Sequence, residues 1–295
     1  MPYTTIALIL LCILIFASLS AASPQGTSDV VYATVGGRAL HLNLTIPVGA
    51  PSKPRPAVIW VHGGGWIEGD YHDTFADDYG LNDQGYVTGS VEYRLSGEAK
   101  YPAQIHDCKA AIRFLRANAA KYGIDPNRIG VWGGSAGGHL VALLGTTGGI
   151  QALEGDQGNL GYSSRVQAVC DFFGPTNLTE SGIKGYTPDI GALIEGLLGG
   201  PVKERRGLAR LASPVEFASK DDPPFLILHG EVDTLVPMSQ SDELYDALHR
   251  AGADVRLVKV KHAGHGFAPT GTDPSFEELK KIVQDFFRRT LGEKK

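Results

Sequence analysis

Residues 129–144 read Ile-Gly-Val-Trp-Gly-Gly-Ser-Ala-Gly-Gly-His-Leu-Val-Ala-Leu-Leu. Ile129 to Trp132 is a short apolar run of the kind buried on both faces of a parallel sheet, and Ala136 to Leu144 reads as the helix that follows it. Between them, Gly133-Gly134-Ser135-Ala136-Gly137 fits G-x-S-x-G. In a glycine-rich chain the pattern alone is weak, but its place at a strand-to-helix junction is specific. A serine on so sharp a turn has a strained backbone and lifts its Oγ clear of the sheet. Side chains two residues before and two after would collide, which accounts for Gly133 and Gly137. A glycine-rich helix entry with Ser135 as an ordinary N-cap is the competing reading.

The same alternation runs outward in both directions. Val30 to Val35 and Ala39 to Ile46 read as a hairpin about Gly36-Gly37. Ala57 to Val61 and Tyr86 to Val91 are buried strands, and Pro102 to Tyr122 carries Ile105, Cys108, Ile112, Leu115 and Ala119 at helical spacing. Further strands are expected at Val166 to Phe173, Phe225 to Leu228 and Val255 to Val260, with a helix over Ser239 to Arg250. A last helix runs to Leu291, with Asp273 as N-cap and Pro274 at N1. This order predicts an α/β fold with a mostly parallel central sheet, helices on both faces and an antiparallel edge. Residues 175–223 fit poorly: they are weakly periodic around the apolar patch Leu193, Ile194, Leu197 and Leu198, and read as a small insertion over the sheet.

A serine hydroxyl is a weak nucleophile until a base takes its proton. The base belongs on a loop after a later strand, and His262-Ala263-Gly264-His265-Gly266-Phe267 follows Val255 to Val260. His265, with glycine on either side, is favoured over His262. The acid belongs after the preceding strand, where His229-Gly230-Glu231-Val232-Asp233 offers Asp233, with Glu231 as runner-up. It would hold the imidazole tautomer and stabilise the imidazolium. His62-Gly63-Gly64-Gly65-Trp66 follows Ala57 to Val61 and reads as an oxyanion loop in which the N–H groups of Gly64, Gly65 and Ala136 donate. Neither phosphate-binding glycine pattern occurs there, so no nucleotide cofactor is expected. Trp66, Tyr186, Phe267 and Phe173 are candidates to line a substrate pocket, with core packing as the alternative for each. His139 reads as a packing or hydrogen-bonding residue of its helix, and His229 and His62 as pins for loop backbone.

Composition narrows the class. A formal charge of −5 and the lack of a basic block argue against nucleic-acid binding. Ile6 to Leu19 is almost wholly apolar and ends in Ser20-Ala21-Ala22, the pattern of a signal peptide cleaved after about Ala22, although its start lacks Lys and Arg. An uncleaved anchor is the alternative, on a run shorter than the roughly 20 residues that span a bilayer. Domain organisation is then a signal peptide over 1–22 and one domain over 23–295. Cys108 and Cys170 are expected as free buried thiols, with a bridge between them as the alternative, and neither has a Cys or His at metal-ligand spacing. Glycine makes up 38 of 295 residues, well above the usual ~7%. Of these, 15 fall in segments 62–69, 130–149 and 262–271, around the residues singled out above.

With HGGGW, GGSAGG, HGEVDTLVP and HAGHGF assembled, the chain resembles the α/β-hydrolase superfamily over nearly its whole length. It is most similar to the hormone-sensitive-lipase-like carboxylesterases, and within them to secreted bacterial bifunctional acetyl-xylan/feruloyl esterases. Residues 90–140 and the Asp171-Phe-Phe-Gly-Pro-Thr-Asn-Leu178 stretch carry that likeness. The resemblance implies ester hydrolysis without cofactor or metal, with Ser135 as nucleophile, His265 as base and Asp233 as acid. The implied substrate is a small-molecule or polysaccharide ester, and neither nucleic acid nor a stable membrane anchor is expected. Gly134 departs from the pattern, standing where many relatives carry Asp or Ser. A peptidase of prolyl-oligopeptidase type and a non-catalytic ligand-binding protein on the same fold are the alternatives.

Overall fold

A computed structural model describes residues 25–48, 53–72, 77–267 and 271–293. The expected signal segment, with Cys12 in it, lies outside the described residues. The strands are β1 (Gln25–Val35), β2 (Arg38–Pro47), β3 (Arg55–Val61), β4 (Val87–Val91), β5 (Ile124–Gly134), β6 (Ala168–Phe172), β7 (Phe225–Gly230) and β8 (Val255–Val260). They form one sheet in the order β1-β2-β4-β3-β5-β6-β7-β8. β1, β2 and β4 pair antiparallel, and every pairing from β4 through β8 is parallel. The fold class read from the sequence is the one observed.

The central strands alternate between two cores, as a period of two requires. Ala57, Ile59 and Val61 of β3 face one side with Ile129 and Val131 of β5, whereas Val58, Trp60 and Trp132 face the other. Helices α1 (Ala103–Ala117), α2 (Ala119–Tyr122), α3 (Ala136–Thr146) and α6 (Ser239–Ala251) cover the first side. α7 (Phe276–Leu291) covers the second through Leu279, Val283, Phe286, Phe287 and Leu291. Gly130 lets it approach: a Cβ there would stand 2.8 Å from Leu291 Cδ1. Cys108 and Cys170 are free and buried in opposite cores, so the sheet itself separates them. Among the described residues no helix is long and apolar enough to cross a membrane.

Two local expectations need correction. The helix read over Pro102 to Tyr122 breaks at Asn118, whose side chain donates to Phe114 O at 2.9 Å and separates α1 from α2. The N-cap of α7 is Ser275, not Asp273. Ser275 Oγ accepts from Glu278 N–H while the Glu278 carboxylate accepts from Ser275 N–H at 2.8 Å, a reciprocal capping box. Asp273 is drawn away by Lys261, which it meets at 2.8 Å and pairs through the backbone. Within 175–223 the apolar patch lies on α4 (Pro188–Leu198), and α5 (Arg206–Leu211) follows; Ile194, Leu197 and Leu198 are buried against the first core.

Candidate active site

β5 ends at the turn that carries Ser135. Its backbone sits at φ 57° and ψ −121°, held by Ser135 N–H donating to Phe172 O at 2.9 Å. Clearance at this turn is tight. A Cβ on Gly137 would lie 1.9 Å from Val61 O, and one on Gly133 would lie 2.6 Å from Gly137 O. Both glycines are therefore obligatory, as the motif reading required.

The loop after β3 lies against the serine, since a Cβ built on Gly63 would stand 3.4 Å from Ser135 Cβ. Gly64, Gly65 and Trp66 all have positive φ, at 97°, 57° and 60°. Gly64 O accepts from Ile67 N–H and Glu68 N–H, which closes the loop. Among the described residues the N–H groups of Gly64, Gly65 and Ala136 have no protein partner. They stand beside Ser135 at the start of α3 and at the loop, where a developing negative charge would meet donors already in place.

Trp66 earns its conformation from the helix beside it. Its Nε1–H donates to His139 Nδ1 at 3.1 Å, and His139 Nε2 donates to Ala212 O at 2.7 Å. Because Nδ1 accepts and Nε2 donates, His139 is the neutral Nε2–H tautomer. Burial pushes its pKa down to about 4, against a smaller opposing effect of the Ala212 carbonyl. Tyr93 steadies the other end, stacking on the His62 ring at 4.3 Å and donating to His62 O at 3.0 Å.

His265 and Asp233 meet across the ends of β7 and β8. His265 Nδ1 lies 2.7 Å from Asp233 Oδ2, and Asp233 Oδ1 accepts from Leu235 N–H and Val236 N–H at 2.8 and 2.9 Å. Burial acts to raise the Asp233 carboxyl, but hydrogen bonds from His229, His265 and Val236 outweigh it and hold the group well below the usual carboxylate range. Gly230 allows the histidine loop to cross, since a Cβ there would be 2.3 Å from Ala263 O. Glu231 and His262, the alternative acid and base, are both exposed and are not in the cavity wall.

Ser135 and His265 face one cavity of about 420 Å³, with Gly64, Gly65, Ala136 and Trp66 in its wall. Among the described residues no direct hydrogen bond joins Ser135 to His265. The remaining wall is largely apolar: Trp60, Phe173, Ile190, Leu193, Leu235 and Val236, with Glu68 as a charged side chain. Tyr186 and Phe267, expected in the lining, are not in it. Phe267, at φ 61°, turns its ring onto Phe173 and Phe172 at 5.1 and 5.7 Å, and so backs the wall from behind. Tyr186 packs against the main core, where burial pushes its hydroxyl up. Phe173 joins Trp60 and Trp66 in the wall, its ring 4.5 Å from that of His265.

Of two further buried groups, the sequence reading left Asp171 unassigned and took His229 only as a pin for loop backbone. Asp171 at the end of β6 accepts from Gly174 N–H at 2.9 Å, and burial pushes its carboxyl up to about 6. His229 is fully buried beside Asp233. Only its position four residues before the acid hints at this, because a lone histidine carries no spacing signal.

An eight-stranded, mostly parallel sheet, with a strained serine after a central strand and a hydrogen-bonded His–Asp pair after the two final ones, defines an α/β-hydrolase of the carboxylesterase branch. Within that class the chain belongs to the BD-FAE family, whose model matches residues 42–248. It is 33% identical over 91% of its length to esterase LipQ of Mycobacterium tuberculosis, and spans 64% of that protein, just under two thirds. A truncated carbohydrate esterase from gut microbiota superposes with a TM-score of 0.78 at 32% identity, covering 94% of this chain and 99% of that one. Thermogutta terrifontis esterase 2, solved phosphonylated by sarin, gives 0.77 at 28% identity, with 91% and 97% covered.

Proposed function

We propose that this chain is a serine carboxylesterase working through an acyl-enzyme, with acetyl or feruloyl esters of plant cell-wall polysaccharide as its substrates. The observation that carries the reading is the 2.7 Å bond from His265 Nδ1–H to Asp233, made at the wall of the cavity that Ser135 and the unpartnered N–H groups share. With Nδ1 committed as donor to the carboxylate, Nε2 is left as the base. Ser135 Oγ attacks the ester carbonyl carbon as its proton passes to His265 Nε2. The resulting oxyanion accepts from the N–H groups of Gly64, Gly65 and Ala136. Collapse breaks the carbonyl-to-alkoxy bond, and the imidazolium protonates the departing alcohol. Water then attacks the acyl-serine with His265 again as base, releasing the acid and restoring the serine. Serine-to-histidine hydrogen bonds of this kind commonly tighten only once substrate is bound.

The aromatic and aliphatic wall, and a volume beyond the needs of an acetyl group, favour acyl groups up to an aromatic one. Similarity to a carbohydrate esterase points the same way for the alcohol. Residues 175–223 act as a cap-like insertion, contributing Ile190 and Leu193 to the wall. The apolar N-terminal stretch supports export to the periplasm or medium, where such polymers are met. A fluorophosphonate probe should label wild-type enzyme at Ser135, and turnover of p-nitrophenyl acetate, methyl ferulate and acetylated xylan then ranks the esters. Peptide cleavage without ester cleavage would overturn the proposal.

A further inference from the structure

Asp233 is a fully buried carboxylate, and a buried anion is tolerated only when donors occupy its lone pairs. Oδ1 has two, Leu235 N–H and Val236 N–H, and Oδ2 has His265 Nδ1–H. The fourth direction is taken by His229 Nε2, 3.4 Å from Oδ2. The same nitrogen lies 2.9 Å from Val236 O, and a carbonyl only accepts, so Nε2 carries the proton. His229 Nδ1 is then free to accept, and Ser241 Oγ–H at 2.7 Å, from α6, is placed to donate to it. Val236 O thereby selects the tautomer, and the Ser241 hydroxyl turns to match it.

We propose that His229 is a positioning residue for Asp233: its single Nε2–H is shared between Asp233 Oδ2 and Val236 O, so one ring fixes the carboxylate and the cavity wall together. Val236 and Leu235 line the cavity, and both belong to the loop that the ring spans. The proposal rests on the esterase reading, in which Asp233 orients His265. The other ionisable groups around the pair are Asp171 on β6 and Tyr186, whose hydroxyl feels the negative charges of Asp233, Glu243 and Asp171. Neither donates to the Asp233 carboxylate, so the ring is the remaining donor.

Two variants separate positioning from mere filling of space. An asparagine amide reaches about as far as the Nδ1 side of the ring and a glutamine amide about as far as Nε2. His229→Asn therefore keeps a partner for Ser241 and loses the donor to Asp233, whereas His229→Gln keeps that donor. With one donor gone, Asp233 binds the His265 imidazolium more strongly, and the acid limb of kcat/KM on p-nitrophenyl acetate moves to higher pH. The expected result for His229→Asn is a fall in kcat of about tenfold or more with an upward shift of roughly half a pH unit. His229→Gln should restore both, and the shift should persist in an Asp171→Asn background. Equal losses in the two variants with an unmoved acid limb, or wild-type kinetics in His229→Asn, would overturn the proposal. Histidine ¹⁵N NMR of the wild type tests it without substitution: His229 should carry its proton at Nε2 with Nδ1 bare, and an Nδ1–H tautomer would refute it. Fluorophosphonate labelling of wild-type Ser135 reports on the esterase reading separately, since its failure leaves the tautomer measurement standing.

Discussion

At φ 57° Ser135 occupies backbone space that costs a non-glycine residue about 1–3 kcal/mol, and the surrounding structure has to enforce it. Phe172 O does so from β6 and Val61 O from β3, the first by accepting the serine N–H and the second by leaving Gly137 no room for a side chain. Substitution of Ser135 or His265 by alanine should lower kcat by roughly 10³-fold or more, with the oxyanion donors supplying what remains. His262→Ala should keep most of the activity, because that residue sits exposed outside the cavity. Steady-state kinetics on p-nitrophenyl acetate checks both, and an inactive His262→Ala would reassign the base. At this scale the sequence was informative wherever backbone geometry demanded a residue type. The sharp turn at Ser135 with Gly133 and Gly137 could be read, and so could the meeting of His265 with Asp233. Phe267 could not, because its ring direction depends on a positive φ and on Phe173, a partner 94 positions away.

Strands were the most legible elements, since burial on both faces leaves continuous apolar runs that loops cannot imitate. Helix ends were less so. Asp273 and Ser275 are both good N-cap types, and only the tertiary pull of Lys261 decides between them. Ser275→Ala should cost about 1 kcal/mol of stability in chemical denaturation, and Asp273→Ala should cost less, since its ion pair is solvent-exposed. The reverse ranking would restore Asp273 as the cap. Cavity walls were the least legible. α4 presents Ile190 and Leu193 to the site and buries Ile194, Leu197 and Leu198, so its apolar patch serves two surfaces at once and carries no single periodic signal. Trp66 does line the cavity, held there by His139, 73 residues further on.

Across the whole molecule, two buried titrations oppose each other. His139 is held down at about 4 by burial, so between that value and its ordinary 6.5 the unfolded chain binds the extra proton and stability rises with pH. Asp171 is pushed up to about 6 from 3.8, so over nearly the same range the folded chain binds the extra proton and stability falls with pH. Each amounts to about 3 kcal/mol at full extent, and the two largely cancel between pH 4 and 6. His139→Gln should tilt the unfolding free energy downward from pH 4 to 6, and Asp171→Asn should tilt it upward. Urea titrations at pH 4, 5 and 6 measure the slopes, and parallel slopes in both variants would refute the cancellation. Below about pH 4 the stabilisation from Asp233 is also lost, because its carboxylate is favoured in the folded state. The contact of α4 with the glycine loop has a consequence for how such a molecule could diversify. Ser135, the glycine loop, Asp233 and His265 all hang from β3, β5, β7 and β8, while Leu193 reaches the cavity from outside that frame, 2.9 Å from where a Cβ on Gly65 would be. The segment that carries α4 can be exchanged like a mould around a fixed die, provided each replacement leaves Gly65 bare.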